Sequence, residues 1–148
     1  MTRSDSAKAT PPGGCTALRF RKAARRVSQI YDEHLAPYGL TITQYGLLAH
    51  IRRLDGVSIG ELAAELVMDP TTLTRNLGPL VKRDLVAVRP GRRDRRARTL
   101  QLTPEGRETL AKSAAGWKAA QRDIASILGD DHGPLSDAID RMLEKLSE

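Results

Sequence analysis

The sequence predicts a mainly α-helical chain carrying one small β-hairpin, and three observations lead there. Two helix signatures lie about three residues apart between Ser58 and Lys82. Two short apolar runs flank the arginine-rich stretch Arg89–Arg98. Apolar stripes at helical spacing run through residues 104–148. The 148 residues, 40% of them hydrophobic, suffice for one domain with one core.

Residues 1–14, MTRSDSAKATPPGG, are rich in Ser, Thr, Pro and Gly and read as a disordered tail. Helices are expected over Thr16–Leu35 and Thr43–Leu54, the second with a capping box from Thr41 and Gln44. Ser58 caps the next helix and Glu61, three residues on, completes its box; Ile59, Leu62, Ala63 and Leu66 give it an apolar stripe. Asp69 caps the following helix, with Pro70 at the first position, where the missing N–H costs nothing. Two helices this close in sequence form a helix-turn-helix.

At about 100° per residue, Leu73, Leu77, Leu80 and Val81 share one side of the second helix. The opposite side shows Thr71, Thr72, Arg75, Pro79 and Lys82, with two cations and no acid. Arg75 can make a bidentate pair of hydrogen bonds to guanine in a major groove, and threonine hydroxyls suit a base edge or a phosphate. Thr71 and Thr72 equally suit plain helix-start chemistry. Pro79 deletes one backbone hydrogen bond and crowds the preceding turn, which implies a kink or a close backbone approach.

Leu85–Val88 and Thr99–Thr103 read as paired strands, with Leu100 and Leu102 facing one way. Between them RPGRRDRRAR holds six arginines and one aspartate, too long for a two-residue turn, with Pro90-Gly91 starting an open excursion. A helix-turn-helix followed by a hairpin with a basic tip is a winged helix. Pro104 opens a helix to Leu128 striped by Leu110, Ala114, Trp117, Ala120, Ile124 and Leu128. Pro134 opens the last, Leu135–Leu146, striped by Ala138, Ile139, Met142, Leu143 and Leu146. Helices this apolar at a chain end need a partner.

The net charge of +6 is uneven. Residues 1–26 carry seven cations and one acid, residues 89–103 six and one, and residues 104–148 six cations against nine acids. A basic arm and wing with an acidic far end describe a molecule that meets nucleic acid from one side. No apolar run approaches a membrane span and the start lacks a hydrophobic signal segment, so a cytoplasmic protein with no membrane partner is expected. His34, His50 and His132 show no metal-ligand spacing with Cys15, and there is no glycine-rich phosphate loop or serine elbow, so neither an enzyme nor a cofactor is expected.

The segments GLTITQYGLLAHI, SIGELAAELVMDPTTLTRNLGPLVKRDLV and DRRARTLQLTPEG together make the chain similar to the MarR family of bacterial transcriptional regulators. The last is the most specific: Asp94 and Arg96 occupy the family's Asp-x-Arg, Leu102 and Thr103 its Leu-Thr, and Gly106 its glycine. Many relatives have an aspartate where this chain has Gly91, so the wing here is more cationic and lacks one orienting partner. The resemblance implies a sequence-specific double-stranded DNA-binding regulator whose wing arginine, Arg96, enters a minor groove while Asp94 holds it. A narrow minor groove concentrates negative potential and favours arginine. The expected DNA contacts are Ser58, Thr71, Thr72, Arg75, Lys82, Arg92, Arg93, Asp94, Arg95, Arg96 and Arg98.

It also implies a division into a first dimerisation helix (residues 15–40), a winged helix-turn-helix domain (41–103, recognition helix about 70–83, wing about 85–103) and C-terminal dimerisation helices (104–148). A two-fold homodimer would read a pseudo-palindromic operator with half-sites about one helical turn apart. Repression, released by a phenolic compound, an aromatic acid or an acyl-CoA thioester, is the family's common mode. The residues expected to line that effector site are Arg19, Tyr31, His34, Tyr38, Tyr45, His50 and Trp117. Tyrosine and tryptophan at helical spacing also suit a plain core, and the two histidines suit ordinary satisfied positions. Arg19, Arg21, Lys22, Arg25 and Arg26 suit coenzyme A phosphates, DNA or solvent alike.

Two other readings stand beside this one. Cys15, the single cysteine, begins the first helix near arginines that favour a thiolate, as in peroxide-sensing relatives, although its interval to Tyr31 is about two residues longer than that pattern. One cysteine excludes an intrachain disulfide. The other reading is a DNA-coating protein with no sequence preference.

Overall fold

A computed structural model describes residues 14–147, so the tail expected over residues 1–14 lies, apart from Gly14, outside the described residues. Helix α1 (Thr16–Leu35) passes through a 3-10 turn, Ala36–Tyr38, and a left-handed Gly39 into α2 (Ile42–Arg53). Thr41 and Gln44 form the capping box of α2, and the Asp32 carboxylate accepts from the Ile42 N–H at 2.7 Å, fixing the angle between the two helices. A short strand β1 (Val57–Ser58) precedes α3 (Ile59–Glu65), which Ser58 and Glu61 cap reciprocally. The turn into α4 (Pro70–Lys82) places Val67 at φ 50° before the Asp69 cap.

Strands β2 (Val86–Pro90) and β3 (Arg98–Leu102) form the hairpin, and β1 joins the free side of β3 to give an antiparallel sheet ordered β1-β3-β2. Helix α5 (Pro104–Leu128) returns from the sheet, and a 3-10 turn (Gly129–Asp131) leads to α6 (His132–Leu146). The core is built from Leu35, Leu40, Leu47, Leu48, Ile51, Leu62, Leu73, Leu77, Leu80, Leu85, Val86, Leu100 and Leu110. It therefore joins α1, α2, the helix-turn-helix, the sheet and the start of α5 into one body.

The strand-to-helix joint after β3 explains the Leu-Thr and glycine of DRRARTLQLTPEG. Leu102 is buried. The Thr103 hydroxyl caps α5 by accepting from the Gly106 N–H (2.9 Å) and donates to the Asp84 carbonyl (2.6 Å), while the Thr103 N–H donates to the Leu85 carbonyl (3.1 Å). At Gly106 a Cβ would lie 2.0 Å from the Leu85 carbonyl oxygen, so only glycine fits. The end of α4 is thus clasped by the start of α5.

Several expected boundaries move. Leu85 is not part of the ladder: it is buried, with its N–H on the Leu80 carbonyl. The ladder instead extends outward to Pro90 opposite Arg98, because arginines on an exposed ribbon do not oppose pairing and β2 is an edge strand that tolerates proline. Helix α2 starts one residue before Thr43. Helix α6 starts at His132 rather than Leu135, with Pro134 third, still among the four residues whose N–H groups have no helical partner. Val81, expected beside Leu77 and Leu80, is 40% exposed at the rim of α4. Strand β1 was not anticipated: two residues are too few to show alternation, and they pair because Val57 must be buried opposite Leu100.

Candidate nucleic-acid interface

Helix α4 shows its polar side to solvent. Leu73, Leu77 and Leu80 are buried, whereas Thr71, Thr72, Arg75, Pro79 and Lys82 are exposed. The Asp69 carboxylate is engaged by the Thr72 N–H at 3.2 Å, so the one acid at this end is turned to the helix start and away from the cationic side. Thr74 is spent on its own helix, donating to the Pro70 carbonyl. The helix runs through Pro79 to Lys82, and because proline has no N–H the Arg75 carbonyl receives no bond from it. Arg75 presents its guanidinium to solvent.

The wing tip is closed by its backbone. The Gly91 N–H donates to the Ala97 carbonyl (2.6 Å), the Ala97 N–H to the Asp94 carbonyl (3.1 Å), and the Asp94 carboxylate accepts from the Arg96 N–H (2.9 Å). Asp94 therefore engages the backbone of Arg96, leaving the guanidinium free to reach outward. Gly91 is buried under this turn, and a Cβ there would sit 2.5 Å from the Asp94 carbonyl oxygen. This chain has no room for a side chain at that position.

The arginines divide between two sides of the wing. Arg92 and Arg93, with Asp94, border an open groove of about 730 Å³ whose other wall includes Ser58, Glu61 and Asp55. Arg95, Arg96 and Arg98 border a second groove of about 650 Å³ on the other side, and Arg89 touches both. Six exposed arginines and no ion pair to any of them among the described residues make this ribbon an anion probe with two faces. Ser58 is half-buried and its hydroxyl accepts from the Glu61 N–H, so its first task is capping. Arg89 was not among the expected contacts. It opens the arginine-rich stretch in the sequence, and the structure places it in β2, where it borders both grooves.

The residues expected around an effector are only partly brought together. Tyr45 stacks on Trp117 with ring centroids 6.0 Å apart and planes 13° off parallel. The Tyr31 hydroxyl donates to the Gln121 side chain, and the Tyr38 ring lies against Gly116. Burial raises the pKa of both Tyr31 and Tyr45 above the ordinary tyrosine value, with Arg52 partly offsetting this at Tyr45, so both phenols are neutral at pH 7. His34 pairs with Asp123 across α1 and α5 at 2.6 Å. His50 bonds to the Gly46 carbonyl of its own helix at 2.7 Å, which is the satisfied position considered for it. Arg19 lies twelve residues before Tyr31 on the same helix, about 18 Å away, outside the cluster. Cys15 is the exposed N-cap of α1, about 24 Å from Tyr31 by the same measure, so the Cys15 thiol and the Tyr31 phenol of one chain do not meet. No helix among the described residues is long and apolar enough to cross a membrane.

A helix-turn-helix whose second helix shows free cations and hydroxyls, followed by an arginine wing, defines a winged-helix regulator of transcription. The MarR family model matches residues 38–97. The chain is 32% identical over 97 residues to the regulator YhbI of Bacillus subtilis, covering 66% of this chain and 63% of that protein. It is 33% identical over 123 residues to the transcriptional activatory protein BadR of Rhodopseudomonas palustris, covering 80% and 66%. The matches thus span less than two thirds of these curated relatives. The crystal structure of the M. tuberculosis transcriptional regulator MosR in complex with DNA superimposes with a TM-score of 0.80 at 35% identity, over 90% of this chain and 96% of that one. The chain belongs to the MarR family of transcriptional regulators.

Proposed function

We propose that the protein is a homodimeric repressor that reads a pseudo-palindromic DNA operator and releases it on binding a small aromatic acid or its acyl-CoA thioester. The observation that carries the DNA reading is the uncompensated polar side of α4 beside the arginine wing. Thr71, Thr72, Arg75 and Lys82 would meet a major groove, and Arg92, Arg93, Arg95, Arg96 and Arg98 the adjacent minor groove and its phosphates, with Asp94 shaping the tip and Ser58 at the groove's inner wall. MosR, of the same fold, has been captured on DNA. The relatives compared are transcriptional regulators, and a non-enzymatic role follows from the family alone.

The dimer is supported by apolar side chains that one copy leaves in water: Phe20 and Val27 on α1, Ile127 near the end of α5, and Leu135, Leu143 and Leu146 on α6. Large apolar side chains left exposed on helices outside the DNA-reading part support an association surface. The effector reading is supported by the Tyr45–Trp117 stack, with Tyr31 held to Gln121 of α5 and Tyr38 against Gly116 of the same helix, which offers aromatic neighbours to an aromatic ring.

The test is a titration of the protein against the duplex upstream of its own gene and an unrelated duplex at about 0.15 M salt. A preference of about 10³-fold or more is expected for a specific regulator. Equal weak binding to this and other candidate promoters would favour a DNA-coating role. Benzoate and benzoyl-CoA are then added to the bound complex. Release accompanied by a change in fluorescence of Trp117, the single tryptophan, is the expected response.

A further inference from the structure

One exposed arginine outside the DNA-reading set ties two parts of the molecule together. Arg83, the residue that ends α4, sends its guanidinium 44 residues back along the chain and donates from Nη1 to the Gly39 carbonyl at 2.7 Å. Both ends of this link are held. On one side, the Gly39 N–H bonds to the Ala36 carbonyl (2.9 Å) and Leu40 to the Leu35 carbonyl (3.4 Å). The neighbouring Tyr38 ring lies so close to α5 that a Cβ on Gly116 would come within 2.9 Å of it. Gly39 thus belongs to the turn between α1 and α2, which packs against α5 through Tyr38. On the other side, the Arg83 N–H bonds to the Pro79 carbonyl (3.1 Å), and the next residues, Asp84 and Leu85, are clasped by Thr103.

The geometry points to Arg83 as a positioning residue that sets the recognition helix at a fixed place relative to the dimerisation helices, and so fixes the half-site spacing the dimer accepts. In a two-fold regulator the distance between the two α4 helices is set by how each is mounted on its own α1 and α5. The core packs one side of α4, through Leu73, Leu77 and Leu80. Arg83 adds a tether at its far end, where Pro79 has already removed one of the backbone bonds that stiffen the last turns. A change of one base pair in the spacer moves a half-site by about 3.4 Å and turns it by about 35°. A tethered helix resists that displacement, and a released one follows it.

This inference rests on the proposed dimeric, operator-reading function, and its test separates the two. The wild-type protein first selects its best duplex from a random pool. The spacer of that duplex is then lengthened and shortened by one base pair, and affinity and salt dependence are measured for wild type, Arg83→Gln and Gly39→Ala. The second variant keeps the arginine's charge but disturbs its anchor: Gly39 has φ 70°, and a Cβ would press within 3.3 Å of Arg83 Nη2. Wild type should lose roughly tenfold or more on either spacer change, the size of one wrong base pair. Both variants should lose less than about a third of that factor, with Gly39→Ala keeping the wild-type salt slope and both keeping the wild-type unfolding midpoint within a few degrees. Should Gly39→Ala fail to fold, the spacer profile of Arg83→Gln decides alone.

If Arg83→Gln weakens every spacer equally and lowers the salt slope by about one, Arg83 is a phosphate contact and the inference is overturned. It is equally overturned if the variants keep the wild-type spacer profile. If wild type itself selects no duplex, the proposed function fails instead.

Discussion

Arg75 and Val67 lie within the same helix-turn-helix and obey opposite demands. Arg75 is an exposed guanidinium on the outward side of α4, free of any ion pair among the described residues. If it reads a guanine, Arg75→Ala should weaken binding to the preferred duplex by about 1–3 kcal/mol and flatten discrimination at one base position. Fluorescence anisotropy with single-base variants of the duplex measures both, and an unchanged profile would remove Arg75 from the reading set. Val67 holds φ 50° while 81% exposed, so it bears left-handed strain with almost no burial to offset it. Val67→Gly relieves roughly 1–2 kcal/mol of that strain and returns part of it as entropy of the unfolded chain. A net gain of about 0.5–1 kcal/mol is expected in urea unfolding, with an unchanged m-value.

At the scale of elements, the wing and the start of α5 carry the consequences. If the wing arginines act on the phosphates as a set, Arg96→Ala should lower the slope of log affinity against log salt by about one while leaving base preference largely intact. An unaltered slope in titrations from about 0.05 to 0.2 M salt would show that this side chain makes no contact. Thr103 makes four hydrogen bonds at the strand-to-helix joint, two of them through its hydroxyl. Thr103→Ala is expected to destabilise the fold by about 1–2 kcal/mol through the lost cap, whereas Thr103→Ser should recover most of it. Chemical denaturation of the two variants side by side checks this.

For the whole molecule, the question is what covers α6. Its apolar stripe is the least buried of any helix here: Leu135, Leu143 and Leu146 are 45%, 48% and 72% exposed. No residue of α6 is buried in a single copy. If a second copy covers this surface, replacing Leu143 and Leu146 with glutamate should shift the protein towards monomer in sedimentation velocity. Helical circular dichroism should be kept in the winged-helix part, and DNA affinity should fall with the loss of the second half-site. A variant that remains dimeric would place the association surface elsewhere.

Most of the secondary structure was legible in the sequence, because it is written in local rules. Caps at Thr41, Ser58 and Asp69 and the prolines at positions 70 and 104 mark where helices begin, and the spacing of Leu73, Leu77 and Leu80 marks which side is buried. The outward cations of α4 and the wing followed by subtraction. Tertiary structure decided what depends on residues far apart in the chain. Strand β1 exists only because Val57 lies beside Leu100, and Gly106 is required only because the backbone of Leu85 comes against it. The division of the wing arginines into two sides, the stacking of Tyr45 on Trp117 and the tether from Arg83 to Gly39 likewise need the folded chain. Helix signals act over three or four residues and survive in a linear reading. Packing and tethering act across about twenty to seventy residues, and the sequence alone does not say which distant residues meet.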